Sequence, residues 1–136
     1  MRRRRAREYA LQILFQIDFK GREVSSSDFE DFWADKNESE EVKKFAVDLV
    51  QGTIRSLDEI DSMIERVAEN WVLRRMAAVD RNILRFAAYE ILYRKDIPSA
   101  VTINEAIEIA KKFSSSEAAP FINGILDKLA KEAGKP

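Results

Sequence analysis

Apolar residues recur every three or four positions through nearly the whole chain, and no stretch alternates with the period of two that a half-buried strand needs. In the first segment Ala6, Tyr9, Ala10, Ile13, Leu14 and Ile17 trace one face of a helix, which Gly21 is placed to stop. Ser25, Ser26 and Ser27 read as a linker, and Asp28 marks a helix start followed by a short stripe of Phe29, Phe32 and Trp33. Residues 34–39 read as a polar loop. Val42, Phe45, Ala46, Leu49 and Val50 mark the next helix, weakened at its end by Gly52. Ser56 with Glu59 matches a capping box ahead of the stripe Ile60, Met63, Ile64, Val67, Ala68 and Trp71. A fifth helix is predicted from about Val79 to Arg94, before Pro98 blocks continuation. Thr102 with Glu105 matches a second capping box, with Val101 and Ala106 placed as a hydrophobic staple. Ser114, Ser115 and Ser116 interrupt. A last helix carries Ile122, Ile125, Leu126, Leu129 and Ala133, with Gly134 as its C-terminal cap. The expectation is an all-α fold of six or seven helices, with residues 1–136 forming one domain.

Composition narrows the chemistry. The 136 residues suit one buried core. With neither cysteine nor histidine, a disulfide framework, a Cys/His zinc site, a thiol nucleophile and a Ser-His-Asp triad are all excluded. Four glycines and three prolines are too few for the tight turns of an all-β fold. No segment has the run of about 18 apolar residues that a membrane span requires. Glu8, Gln12, Gln16 and Asp18 break up what would be the apolar core of a signal peptide, so a cytoplasmic protein is expected. Carboxylates are plentiful, but most lie on helix faces opposite apolar stripes, and Asp58 and Asp61 sit where a helix dipole alone favours negative charge. There is no glycine-rich phosphate loop. No catalytic residue, metal site or cofactor is expected.

Charge is unevenly distributed. The chain carries −1 overall, yet Arg2, Arg3, Arg4, Arg5 and Arg7 contribute +5 within seven residues, leaving −6 on the rest. A basic arm on an acidic body reads as a localised anion-binding site, or else as a solubilising tail. At 100° per residue Arg4, Leu11 and Phe15 share a side of the first helix roughly opposite the inferred core. Guanidinium groups can neutralise phosphates, and an exposed ring can stack on an unpaired base. Packing of Phe15 on a neighbouring helix fits the same pattern. Arg81 and Arg85 are one turn apart, with Asp80 placed to pair with one of them across helices. Phe113 and Phe121 flank the serine loop, where periodicity allows either a core lid or a stacking platform.

At these residues the sequence resembles the NusB family of bacterial transcription antitermination factors. Arg3-Arg4-Arg5-Ala6-Arg7-Glu8 with Ala10, Leu11, Gln12, Leu14 and Phe15 resembles the family's arginine motif and first helix. Val79-Asp80-Arg81, Ile83-Leu84-Arg85 and Tyr89-Glu90 resemble its central helix. Pro98, Val101 and the run Ile103-Asn104-Glu105-Ala106-Ile107-Glu108-Ile109-Ala110-Lys111 resemble its most recognisable block. Phe121-Ile122-Asn123-Gly124-Ile125-Leu126-Asp127 resembles its C-terminal signature. The four blocks stand in the family's order and cover nearly the whole chain. Pro120 and the three serines depart from the family pattern and put the shape of that loop in question.

The resemblance implies two packed helical subdomains without catalytic activity. It implies binding of single-stranded boxA RNA in ribosomal RNA transcripts, together with NusE, a small-subunit ribosomal protein, within the RNA polymerase antitermination assembly. A second copy of the chain is a further partner the resemblance allows. The implied RNA-binding residues are Arg3, Arg4, Arg5, Arg7, Phe15, Asp80, Arg85, Glu117, Phe113 and Phe121. The reading of the residues themselves adds Gln12 and Arg81. Two alternatives stand beside this one. One is an RNA-positioning domain like that of ribosomal RNA cytosine methyltransferases, for which the chain leaves no room for a methyl-donor-binding domain. The other is a protein-interaction module with incidental RNA affinity.

Overall fold

In a computed structural model, residues 2–21, 23–69 and 71–135 are described. Seven α-helices account for most of them: α1 Arg2–Lys20, α2 Ser26–Trp33, α3 Glu40–Arg55, α4 Leu57–Ala68, α5 Ala78–Tyr93, α6 Ser99–Phe113 and α7 Ala118–Glu132. A 3-10 turn at Leu73–Arg75 sits between α4 and α5, and there is no strand among the described residues.

The order of hydrophobicity dictates which helix goes inside. In α5 the run from Asn82 to Ile91 is buried without a break, whereas the other helices bury a stripe. Such a helix must be surrounded. It packs against α1 and α3, and against α4, α6 and α7, which makes it the shared element of two helical groups. The predicted two-subdomain all-α architecture is therefore present. Phe86, Ile83 and Leu84 on α5 meet Ile13, Leu14, Leu49, Ile60, Ile64, Ile109, Ile122 and Leu126 in one contiguous core. Helix α2 is fastened by rings: Tyr9 meets Phe32 at 5.7 Å and Trp33 at 5.2 Å, both edge-on.

Several terminal signals work as expected. Gly21 follows α1 with φ +102°, and Gly134 follows α7 with φ +70°, both backbone conformations that favour glycine. The Asp28 carboxylate accepts the backbone N–H of Ser25 at 2.9 Å, closing the start of α2. Pro120 lies in the first turn of α7, where its missing N–H has no helical partner to lose, so the loop before it is accommodated without breaking the helix.

Helix α3 runs to Arg55, with Gly52 in its last turn, buried beside Tyr89. Four expectations need correction. Neither predicted capping box forms. Ser56 joins α3 to α4 without a side-chain cap bond, and Glu59 instead accepts a hydrogen bond from the Tyr93 hydroxyl. Thr102 lies inside α6, which starts at Ser99, and donates to Glu90 at 2.8 Å, while Glu105 binds Arg4. Helix α4 ends at Ala68, and the backbone turns at Glu69 with φ 56°, so Trp71 leaves the core stripe and is 55% exposed. Leu11 is buried, so α1 is covered on more than one side.

Candidate nucleic-acid interface

The predicted basic arm is not an arm. From Arg2 onward it is the first turns of α1 (residue 1 lies outside the described residues), and most of its charges are matched within the molecule. Arg2 pairs with Glu41 at 3.2 Å, across two exposed side chains. Arg4 grips Glu105 with two hydrogen bonds of 2.9 and 2.7 Å, and Arg5 grips Glu38 in the same forked way at 2.7 and 2.9 Å. Arg3 is exposed, its guanidinium 4.4 Å from the centre of the Phe45 ring. Arg7 is only 2% exposed and donates to both oxygens of the buried Glu90 at 2.7 and 2.9 Å. Arg7 is thus withdrawn from any surface: a helix of 3.6 residues per turn cannot point six consecutive side chains outward.

These pairs set acid sensitivity. Hydrogen bonds from Arg5, then Tyr9, pull the Glu38 carboxyl down to about 2 from an ordinary 4.5. The fork from Arg94 pulls Asp96 down to about 2 from 3.8, and Arg4 lowers Glu105 in the same way. Depressed carboxylates stabilise the fold fully above their unfolded values, and that contribution is lost as the pH falls through the folded ones. The thermal midpoint is therefore expected to be nearly flat from neutral pH to about pH 5 and to fall between about 4.5 and 2. Arg5→Ala is expected to flatten that descent, measured by melting at fixed ionic strength.

The predicted cations of α5 are also occupied. Arg81 binds Asp18 at 3.0 and 2.8 Å and sends a third nitrogen to the carbonyls of Leu73, Arg74 and Met76 at 3.3, 3.4 and 3.0 Å. It staples the segment after α4 onto α1. Arg85 is buried and binds Asp61 at 2.9 and 3.0 Å, with Asn82 and Asp18 alongside. Burial would raise Asp18, but the hydrogen bonds of Arg81 and Asn82 and the charge of Arg85 outweigh it and hold the carboxyl low. The guanidinium groups of Arg81 and Arg85 bind Asp18 and Asp61 rather than the expected Asp80.

Other predicted residues do converge. Asp80, Glu117 and Phe121 line one open cleft of about 400 Å³, joined there by Trp71, Arg75 and Ser115. Phe121 is half-buried and meets Trp71 edge-on at 4.9 Å between ring centres. Asp80 Oδ1 is shielded from solvent and has no hydrogen-bond partner. A second group lies along α1. Phe15 is half-buried and packs on the highly exposed Phe19 at 5.2 Å. Gln12 is half-buried one turn before it. Arg4 meets Glu105 and Glu8 meets Lys112, which draws the end of α6, with Phe113 at 36% exposure, toward the middle of α1. Sequence reasoning missed Trp71 and Arg75. Trp71 continues the spacing of Ile64 and Val67, so periodicity gave it to the core; no local signal separates the two placements.

A family model, described as the NusB family, matches residues 4–131. The chain belongs to the NusB family. Transcription antitermination protein NusB of Thermodesulfovibrio yellowstonii is 49% identical over 97% of this chain and 93% of that one. Its counterpart in Desulfitobacterium hafniense strain DCB-2 is 51% identical over 99% and 92%. Among solved structures, NusB of T. maritima superposes with a TM-score of 0.86 at 43% identity, covering 96% of this chain and 91% of that one. A NusB solved with NusE and double-stranded RNA superposes with a TM-score of 0.86 at 27% identity, covering 96% and 97%. NusB-family membership makes this chain a transcription antitermination factor rather than an enzyme.

Proposed function

We propose that this chain binds single-stranded boxA RNA of ribosomal RNA transcripts together with NusE, in the cytoplasm, as a component of the RNA polymerase antitermination assembly. The observation that carries the reading is the convergence of Asp80 with the sequence-distant Glu117 and Phe121 on one cleft with an exposed tryptophan. A relative captured with both NusE and RNA supports the choice of partners. No helix among the described residues is long and apolar enough to cross a membrane. Rings supply stacking faces, and carboxylates accept hydrogen bonds from base amino groups without attracting phosphate. Phosphate neutralisation falls chiefly to Arg3, with contributions from Arg4 and Arg5 that must compete with Glu105 and Glu38.

The test is RNA affinity with matched and scrambled boxA strands, with and without NusE, across a salt series. Arg3→Ala is expected to make the log–log salt slope shallower by about 0.7, the increment of one phosphate contact on a single strand, with only a small drop in melting temperature from the lost contact with Phe45. Phe15→Ala is expected to cost about 1–3 kcal/mol of binding if a base stacks there. Equal affinity for matched and scrambled strands under both conditions overturns the reading. One observation favours a second reading, a protein-docking module with incidental RNA affinity: Arg4, Arg5 and Arg7 are already paired with carboxylates. That reading predicts selectivity only in the presence of NusE. Self-association, read by light scattering over a concentration series, is the remaining partner question.

A further inference from the structure

The loop between α2 and α3, residues 34–39, reaches back to the start of α1 through Glu38. That carboxylate accepts two hydrogen bonds from Arg5, from Nε at 2.7 Å and from Nη2 at 2.9 Å, and a third from the Tyr9 hydroxyl at 2.8 Å. The Glu38 side chain is 7% exposed although it sits on a surface loop, while the Arg5 side chain keeps about half of its surface in water. Other bonds of the loop are short-range: Lys36 Nζ donates to the Phe32 carbonyl, and the Ser39 hydroxyl accepts the Val42 N–H. A phosphate that uses the forked face of Arg5 needs the same two nitrogens that the carboxylate already holds. A phosphate placed beside an intact pair meets the Glu38 charge as well as the guanidinium. The neighbouring fork of Arg4 on Glu105 is built alike, but Glu105 stands on α6, which is packed on α5 and α7, and also faces the buried Arg7 at 3.7 Å. It has nowhere to go. Glu38 stands on an irregular loop that can swing away with it.

We propose that Glu38 is an autoinhibitory gate on the cationic start of α1: its carboxylate stands in for an RNA phosphate on Arg5, and binding of a strand swings the 34–39 loop off α1. This rests on the RNA-binding reading above and adds to it a regulatory contact. An exposed ion pair is weak enough to be exchanged for a phosphate. Its cost appears as a reduced apparent affinity, because only molecules with Arg5 released are competent at that position. The loop is lightly held once Glu38 lets go, since α2 ahead of it is eight residues long and is fastened by the rings of Phe32 and Trp33 on Tyr9. Mild acid does not open the gate, since Arg5 and then Tyr9 hold the Glu38 carboxyl at about 2. A competing anion does.

The experiment measures binding of the matched boxA strand to the full chain, alone and with NusE, at temperatures where circular dichroism shows each variant folded. Glu38→Gln keeps the side chain's size and an acceptor for Tyr9 but removes the charge that holds Arg5. It is expected to bind about two- to fivefold tighter than wild type, the scale of an exposed ion pair. Glu30→Gln removes an equal charge from an exposed position on α2 and is expected to stay within about 1.5-fold of wild type. In an Arg5→Ala background the gain from Glu38→Gln is expected to vanish, because the group it frees is gone. In the wild-type protein, hydrogen exchange of residues 34–39 is expected to be faster in the RNA complex than in the free chain. If Glu38→Gln binds no tighter than Glu30→Gln, if its gain survives in Arg5→Ala, or if the loop exchanges no faster in the complex, the gate is overturned and the RNA reading stands. If neither wild type nor any variant binds the strand, alone or with NusE, both fall.

Discussion

Replacing Glu90 with alanine is expected to destabilise the protein by about 3–5 kcal/mol and to lower its melting temperature by roughly 10–20 °C. Glu90 is fully buried on the central helix α5, and its two oxygens take the forked guanidinium of Arg7 and the hydroxyl of Thr102. Its removal leaves Arg7, itself buried, with Glu105 at 3.7 Å as the nearest remaining carboxylate. The lost attraction alone is modest; most of the cost is an under-compensated cation and an orphaned hydroxyl in a medium that cannot solvate them. Arg7→Lys keeps the charge but not the fork, and is expected to fall between wild type and Glu90→Ala.

The same variant separates two meanings of the arginine motif. If Arg7 contacted RNA, Glu90→Ala would spare binding by any molecule that stayed folded and Arg7→Ala would abolish it. The geometry predicts the opposite pattern: both variants melt early, and both bind RNA normally at temperatures where circular dichroism shows them folded. A loss of affinity in fully folded Arg7→Ala would return the residue to the interface.

What the sequence made legible was local. Helix positions follow from a 3.6-residue period; Gly21 and Gly134 mark ends through their backbone freedom, and Asp28 marks a start through its carboxylate. What it hid was long-range. Thr102 and Glu105 have the spacing of a capping box, but the Thr102 hydroxyl goes to the buried Glu90 carboxylate, which also holds Arg7 from 83 residues away. Arg4 takes Glu105 from 101 residues away. The arginine run looks like one feature in sequence, yet the helix distributes it between solvent, surface carboxylates and the core. The family resemblance marked Asp80, Glu117 and Phe121 as candidate site residues. Their meeting in one cleft with Trp71 depended on the end of α4 at Ala68 and the positive φ of Glu69, which periodicity does not encode.

Gly52→Ala is expected to destabilise the protein by about 2–3 kcal/mol, against the usual sign for a glycine in a helix. In an exposed helix interior the change would gain about 1 kcal/mol of propensity. Here an added Cβ would lie 2.2 Å from Cε1 and from Cζ of Tyr89, far inside any tolerable contact. The Tyr89 ring is nearly buried on α5 and stacked on Tyr93 at 5.8 Å, so it cannot slide within the core. It must rotate out, giving up its burial and about 1 kcal/mol of ring contact. Those losses exceed the propensity gain. The close approach of α3 to α5 at this point is what the glycine secures, and the test is a double-mutant cycle by denaturant unfolding. Tyr89→Ala removes the atoms that clash, so Gly52→Ala made in that background should turn neutral or stabilising. An equal penalty in both backgrounds would place the strain in α3 itself and remove the helix–helix contact as its cause.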